Sequence, residues 1–330
     1  MKSDYKIALL MILILLSSYN VLFAQQFPNY TLFYMNKYSI NPAVAGANHA
    51  TNISLNAREE SVGFEGTPKT HSFSIDSRVT GRNNIFKKIF KNNSRSRNSA
   101  SGNVGWGLYL YSDLNGPIDK TGVNGTYSYH IELDESQLSF GISLVLFQLS
   151  IQKGAFITDD GKLENDPLLM GGDEAIWITD ANFGVYYSTE KYYAGYSTMQ
   201  LFNSFAQFGR NGQGEYKLSR LHNLIGGYKY RINRMIELEP NTLIRFDEKL
   251  NMQANIGFRV NYNQKFWGGL YYKTMNTLSF HCGLNYDKYY IAYAFDYGIN
   301  AMSYQTWGTH ELVIAVSLGS RTRYKWLQTF

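Results

Sequence analysis

Apolar and polar residues alternate one by one along most of the chain after residue 50. The clearest run is 251–262, where Met252, Ala254, Ile256, Phe258, Val260 and Tyr262 share one face and Asn251, Gln253, Asn255, Arg259 and Asn261 the other. A period of two marks a strand whose faces meet different surroundings. Leu278, Phe280, Cys282, Leu284 and Tyr286 repeat it against Ser279, His281 and Asn285, and Ile291, Tyr293, Phe295, Tyr297 and Ile299 against Ala292, Ala294 and Asp296.

Similar runs start near Asn52, Lys69, Gly102, Lys120, Gln137, Asp180, Tyr192, Ser219, Met235, Asn251, Phe266, Thr277, Tyr289 and His310, predicting about fourteen strands. An even number suits a closed antiparallel barrel. Many runs reach the roughly 9–11 residues that a tilted strand needs to cross a bilayer, longer than most strands of soluble sandwiches. The expected fold is therefore all-β, a transmembrane antiparallel β-barrel over residues 51–330, with the strand near Asn52 closing onto that near His310.

Connection lengths predict an orientation. Tight turns at 133–136, 188–191, 231–234, 263–265 and 287–288 alternate with longer connections at 152–179 and 201–218. In barrels of this kind short turns face the periplasm and long loops the outside, which places both termini in the periplasm. The long loops carry Phe156, Trp177, Phe202, Phe205 and Phe208, candidate contacts for another protein, since apolar clusters on loops mark such surfaces. Residues 80–101 break the rule as a long, basic insert on the short-turn side, with Lys87, Lys88 and Lys91 opposite Ile85, Phe86, Ile89 and Phe90 on a short amphipathic stretch. Its cations are candidates for contacting periplasmic machinery.

Residues 1–24 read as a cleaved signal peptide, with Lys2 and Lys6 before the apolar run 7–16 and Ala24 before the cut. That run is too short to span a bilayer as a helix. Residues 25–50 form a separate N-terminal segment, periplasmic or plug-like. Asn41-Pro42 and Gly46 mark a structural turn before the first strand, while Tyr30, Phe33, Tyr34 and Tyr38 would be costly to expose and argue for packing into or against the barrel mouth.

Composition agrees with strands that meet lipid and its interface. The chain holds 27 Tyr, 20 Phe and 29 Gly against 6 Pro, with 17% charged residues. A mean hydropathy of -0.30 does not exclude a membrane, because a barrel averages a lipid face with a polar lumen. The single Cys282 forms no internal disulfide.

Between the signal and the first strand stand Asn41-Pro42-Ala43-Val44-Ala45-Gly46, followed by Arg58, Gly66 and Pro68, then Tyr129-His130, Asn165-Asp166-Pro167, Gly184-Val185-Tyr186-Tyr187, Tyr193-Ala194-Gly195-Tyr196-Ser197 and His310-Glu311. This order resembles the PorP/SprF family of type IX secretion proteins, across nearly the whole mature chain. Glu60-Ser61 departs from the Gln-Trp pair that commonly follows the family's Arg. The resemblance implies a non-enzymatic outer-membrane barrel that anchors a secreted adhesin-like protein through that protein's C-terminal sorting domain and contacts periplasmic or peptidoglycan-binding components.

Arg259, His281, Asp296 and Glu311 fall on polar faces, and a cation facing lipid at mid-bilayer costs about 2–4 kcal/mol, so all four are expected to form a network in the lumen. A His–acid catalytic pair is the sharper alternative, but no Ser nucleophile in an elbow context accompanies His281. No phosphate-binding loop, CxxC pair or zinc-type spacing appears, so neither cofactor nor metal is expected. Export separates the chain from nucleic acid. A passive porin is the rival reading, and Tyr109, Tyr111, Tyr127 and Tyr129 bear on it if they face inward and fill the lumen.

Overall fold

A computed structural model describes residues 29–64, 66–79, 103–151, 174–208, 214–274, 276–299 and 306–319. The expected signal peptide, the insert carrying Lys87, Lys88 and Lys91, the loop residue Phe156 and the segment after Gly319 lie outside the described residues.

The alternating stretches form strands β1 (Thr51–Glu59), β2 (Lys69–Arg78), β3 (Val104–Asn115), β4 (Ile118–Glu132), β5 (Ser136–Ile151), β6 (Glu174–Thr189) and β7 (Tyr192–Met199). A small hairpin follows, β8 (Phe205–Phe208) with β9 (Gly214–Lys217). The wall resumes with β10 (Leu221–Tyr228), continued by the short β11 (Tyr230–Arg231), and then β12 (Ile236–Asp247), β13 (Met252–Tyr262), β14 (Phe266–Lys273), β15 (Thr277–Tyr286), β16 (Tyr289–Gly298) and β17 (Thr309–Leu318). Each wall strand pairs antiparallel with its neighbours, β10 bridges β7 and β12, and β1 pairs with β17 from Thr51 opposite Leu318 to Glu59 opposite His310. Counting β10 and β11 as one stave, the sheet is a closed barrel of fourteen strands. Closure leaves no backbone edge to lipid, where each unpaired group would cost several kcal/mol.

Side chains obey the two-fold period. Leu278, Phe280, Leu284, Ile291, Tyr293, Leu312 and Ile314 point outward and are exposed, while Ser279, His281, Asp296 and Glu311 point inward and are buried. The tyrosines are not spread evenly. Tyr192, Tyr228, Tyr230, Tyr262, Phe266, Tyr286 and Tyr289 all flank the tight turns of one end and are exposed. That ring is an aromatic girdle, placed where an amphipathic side chain bridges hydrocarbon and water.

The described connections are short at that end: 133–135, 190–191, 232–235, 263–265 and 287–288. The opposite end carries the connections 60–68, 152–173, 200–220 and 299–308, together with tight turns at 116–117, 248–251 and 274–276. One site residue moves as a result. Trp177 was expected on a loop, but β6 begins at Glu174, six residues earlier than its alternation near Asp180 suggested. Trp177 pairs in register with Gln148 and projects outward, 62% exposed, as part of the wall. The alternation does not reach the strand's first residues because their sequence, Ala-Ile-Trp-Ile, is apolar on both faces. Its inward Ile178 packs with Val145, Phe147, Leu149 and Leu218 under the 200–220 connection.

Closure generates the first prediction. Removal of residues 311–330 takes away most of β17 and exposes the β1 and β16 edges, so the truncated chain should fail to assemble. Heat-modifiable migration and protease resistance equal to those of the full chain would refute it.

Candidate functional site: the filled lumen

A barrel of this width is not filled by its own inward side chains. Here residues 29–50 run through the lumen as a plug, buried at every position except Ser39, His49 and Ala50. Leu32, Phe33, Tyr34 and Met35 are at most 1% exposed. They pack on Tyr186, Tyr193, Ile225, Leu243, Trp267, Tyr271, Ala292, Ala294 and Val313 from the wall. The small residues Ala292, Ala294 and Ala315 on the inner face of β16 and β17 leave the space the plug occupies.

The Asn-Pro-Ala-x-Ala-Gly element owes its composition to this fit. Asn41 caps the 3-10 turn Pro42–Val44 by accepting from the Ala43 N–H (2.9 Å), and its amide donates to the backbone oxygens of Val185 (3.0 Å) and Tyr196 (3.2 Å). Pro42 lies directly on Gly141, and the Asn41 side chain on Gly184, where any Cβ would collide. Gly46 has φ +68°, and a Cβ there would fall 2.6 Å from the Ser77 carbonyl oxygen. Its N–H donates to Asp76 (2.8 Å). The Ala45 carbonyl accepts from Ser128 Oγ (2.6 Å) and from His130 Nε2 (2.9 Å), which leaves His130 Nδ1 to accept from Ser139 Oγ (2.8 Å). The element is thus both a turn and the part of the plug that touches the wall most closely.

Two ionic clusters hold the plug. In the first, Arg58 on β1 reaches Asp296 (3.0 Å), Glu311 (3.1 Å) and Glu60 (3.0 Å). Lys273 reaches Asp296 (2.8 Å). Thr31 of the plug stands among them, its N–H donating to Glu311 (2.7 Å) and its hydroxyl to Asp296 (2.7 Å) while accepting from Lys273 Nζ (2.6 Å). Asn56 also donates to Glu311 (3.0 Å). In the second, Arg259 pairs with Glu239 (2.6 Å) and covers the Tyr34 ring at 4.7 Å, while Lys37 sits 3.9 Å over the Tyr193 ring. Burial pushes the Lys37 ammonium down to about 7 against the pull of Glu239.

The four residues expected to form one network are all inward, yet they do not pair with one another. Asp296 and Glu311 belong to the first cluster and Arg259 to the second. His281 stacks on Tyr271 at 4.6 Å and packs by Tyr34 and Trp267, with neither ring nitrogen hydrogen-bonded among the described residues. Their missing partners, Lys273, Glu239 and Thr31, lie on other strands or in the plug. Lys273 and Glu239 fall on polar faces like the rest; nothing in the linear pattern pairs them. Of the family-motif residues, Arg58 and Glu311 face each other in the β1–β17 register. His310, one residue on, points outward and bonds Tyr293 Oη (2.6 Å). Gly66 and Pro68 sit in the connection after β1. Tyr109 and Tyr111 face the lumen, but Tyr127 and Tyr129 are lipid-facing, 54% and 41% exposed. Phe202 is exposed in the 200–220 connection, and Phe205 and Phe208 lie in β8. Among the described residues no cluster of His, Cys, Asp and Glu could hold a metal ion.

A closed antiparallel wall with an aliphatic belt, an aromatic girdle and a charged, plug-filled lumen defines an outer-membrane β-barrel. The chain matches the family of type IX secretion system membrane proteins PorP/SprF over residues 22–316, and it belongs to that family. It is an outer-membrane barrel of the type IX secretion system. No curated relative matches the chain. Solved structures similar to it include the CymD monoaromatic hydrocarbon channel, at 11% identity and a TM-score of 0.45 over 90% of this chain and 95% of that one. A Pseudomonas aeruginosa FadL homologue is similar at 9% identity and a TM-score of 0.43, over 88% and 94%. The Acinetobacter baumannii outer membrane protein Omp33 is similar at 7% and 0.40, over 82% and 99%.

Two predictions follow from the clusters. Thr31→Val removes a hydroxyl that serves Asp296, Lys273 and Arg58 and should loosen the plug by about 1–3 kcal/mol, whereas Arg58→Met leaves the buried Glu311 without its cation and should cost about 3–5 kcal/mol. Protease protection of residues 29–47 and ion conductance in planar bilayers report both; silent conductance in each variant would show that the clusters do not hold the plug. The second concerns pH. The seated Lys37 titrates below the usual lysine value of 10.5, so between about pH 7 and that value the released plug binds more protons than the seated one. Seating therefore strengthens as pH rises through this window. The melting temperature of the plugged barrel should rise there, and Lys37→Met should flatten the rise.

Proposed function

We propose that the barrel is a non-enzymatic anchor, holding a secreted adhesin-like protein at the cell surface through that protein's C-terminal domain. The observation that carries this reading is the plug. A lumen filled by its own chain suits a holder better than a passive porin, because a porin needs an open polar path. The same filling speaks against catalysis, since Asp296 and Glu311 are engaged by Arg58, Lys273 and Thr31, and His281 is enclosed by aromatic rings.

In this reading the tight-turn end faces the periplasm and the end with connections 152–173 and 200–220 faces outward. The outer face then offers Phe202 and the β8–β9 hairpin to the partner. That hairpin has a firm base. Leu218 is fully buried and its N–H donates to the Ser204 carbonyl (3.0 Å), while Arg220 bonds the Leu201 carbonyl (2.8 Å) and Glu248 (2.7 Å). A firm base beside the exposed Phe202 suits recognition. On the opposite side the basic insert with Lys87, Lys88 and Lys91 is the proposed contact for periplasmic or peptidoglycan-binding components.

Replacement of residues 152–173 and 203–217 by short Gly-Ser turns keeps Leu218 and Arg220 and should leave a folded, heat-modifiable barrel. The adhesin should then appear in the medium instead of on the cell. Unchanged surface retention by that folded variant would overturn the anchoring role of this face.

A further inference from the structure

The plug does not fill the lumen evenly. Between its Tyr30 and Ile40 and the wall formed by β3 to β7, β10 and β12 remains a partly open cavity of about 80 Å³. A single water needs about 10–15 Å³ measured the same way, so the space accepts a group several times larger. Asp113 and Lys120, two residues below the turn joining β3 to β4, line it, as does Gln200, which opens the 200–220 connection. The cavity therefore lies toward the end that bears the long connections.

Its walls have a definite chemistry. Tyr109 and Tyr111 stack at 5.7 Å and 26°, and the Tyr30 hydroxyl lies 3.2 Å from that of Tyr109. Phe147 and Val145 complete an apolar floor. Against this floor stand two amides that are each 7% exposed, Asn124 and Gln200. Asn124 Oδ1 and Gln200 Oε1 have no hydrogen-bond partner among the described residues. Leaving such a group unsatisfied costs about 1–3 kcal/mol, which a ligand bonding to it recovers. Arg245 and Lys120 also line the space against a single acid, Asp113, so the formal charge of the lining favours an anion. A few convergent polar groups over an aromatic floor are the usual makeup of a small-ligand site. An acyl chain would fit the floor but leave both amides unsatisfied; water would satisfy the amides but not the aromatic walls.

We propose that this cavity is a binding site for an aromatic ring bearing a hydrogen-bonding, anionic head. The ring lies against Tyr109, Tyr111 and Phe147, and the head meets Asn124, Gln200 and the guanidinium of Arg245. Such a ring comes either from a side chain of a bound protein or from a free aromatic solute.

Calorimetry on the purified full-length barrel in detergent, with 4-hydroxyphenylacetate, toluene and decanoate as probes, tests the site. 4-Hydroxyphenylacetate should bind at least about tenfold more tightly than the other two. Gln200→Leu, which keeps the side-chain volume, should weaken it about tenfold, the equivalent of one hydrogen bond of about 1.4 kcal/mol. Asn124→Phe, which fills the cavity, should abolish it. Failure of the unmodified barrel to bind 4-hydroxyphenylacetate, equal affinity for all three probes, or an unchanged affinity in Gln200→Leu would overturn the proposal, and this last variant decides the matter if Asn124→Phe does not fold. A photoreactive phenylalanine at Leu221 then separates the sources. A crosslink to a polypeptide in whole cells, competed by 4-hydroxyphenylacetate, assigns the ring to a protein partner, and binding without such a crosslink assigns it to a solute. The calorimetry does not depend on adhesin anchoring, so a failure of that reading leaves this measurement standing.

Discussion

A lipid-embedded sheet has to close on itself, and closing fourteen strands leaves a lumen wider than one layer of side chains can fill. Much of this molecule answers that one constraint. Such a lumen is filled either by water or by chain, and where water is shut out the inward charges have to find partners at lumen depth. The chain fills the core from residues 29–50, whose own aromatic residues would be costly in water, while the ionic partners come mostly from the wall itself. Wall and plug are therefore complementary halves of one arrangement. The alanines of β16 and β17, the glycines under Asn41 and Pro42, and the buried carboxylates of β12, β16 and β17 make sense only together.

The first ionic cluster lies at the junction that closes the wall. β1 and β17 are the most distant strands in sequence, and their pairing completes the ring. Arg58 and Glu311 face each other across that junction, Asp296 adds a carboxylate from β16, and Thr31 touches both acids. Taken singly, buried ion pairs are weak contributors to stability, because desolvation offsets their attraction. What they do supply here is register. A one-residue slip between β1 and β17 would turn Glu311 toward lipid and leave Arg58 without its partner.

Much of the wall was legible in the linear pattern, for a physical reason. Lipid outside and a polar lumen inside impose unlike environments on alternate residues, so the strands from β12 to β17 announce themselves through Ile256, Phe280, Tyr293 and Ile314. Where both faces are apolar the signal vanishes, and Trp177 was assigned to a loop although it stands in β6. The inward direction of Arg259, His281, Asp296 and Glu311 was readable from the same alternation. Their partners were not, because pairing in the lumen depends on the depth at which each strand sets its charge and on a plug whose path has no periodicity. Asn41, Pro42 and Gly46 could be read as a turn; that the turn lies against Gly141 and Gly184 depends on tertiary contact alone.

The position of Thr31 bears on how such a molecule is built. It precedes every strand in the chain, yet the hydrogen bonds it donates go to the last two. The carboxylates beside the closing junction receive their full set of hydrogen bonds only when the leading segment lies inside. Completion of the wall and occupation of its interior are thereby linked at one place in the structure. An empty ring would keep Arg58 and Lys273 beside the two acids but lose the Thr31 bonds to both, so a hollow barrel would close on a junction less fully hydrogen-bonded than the plugged one.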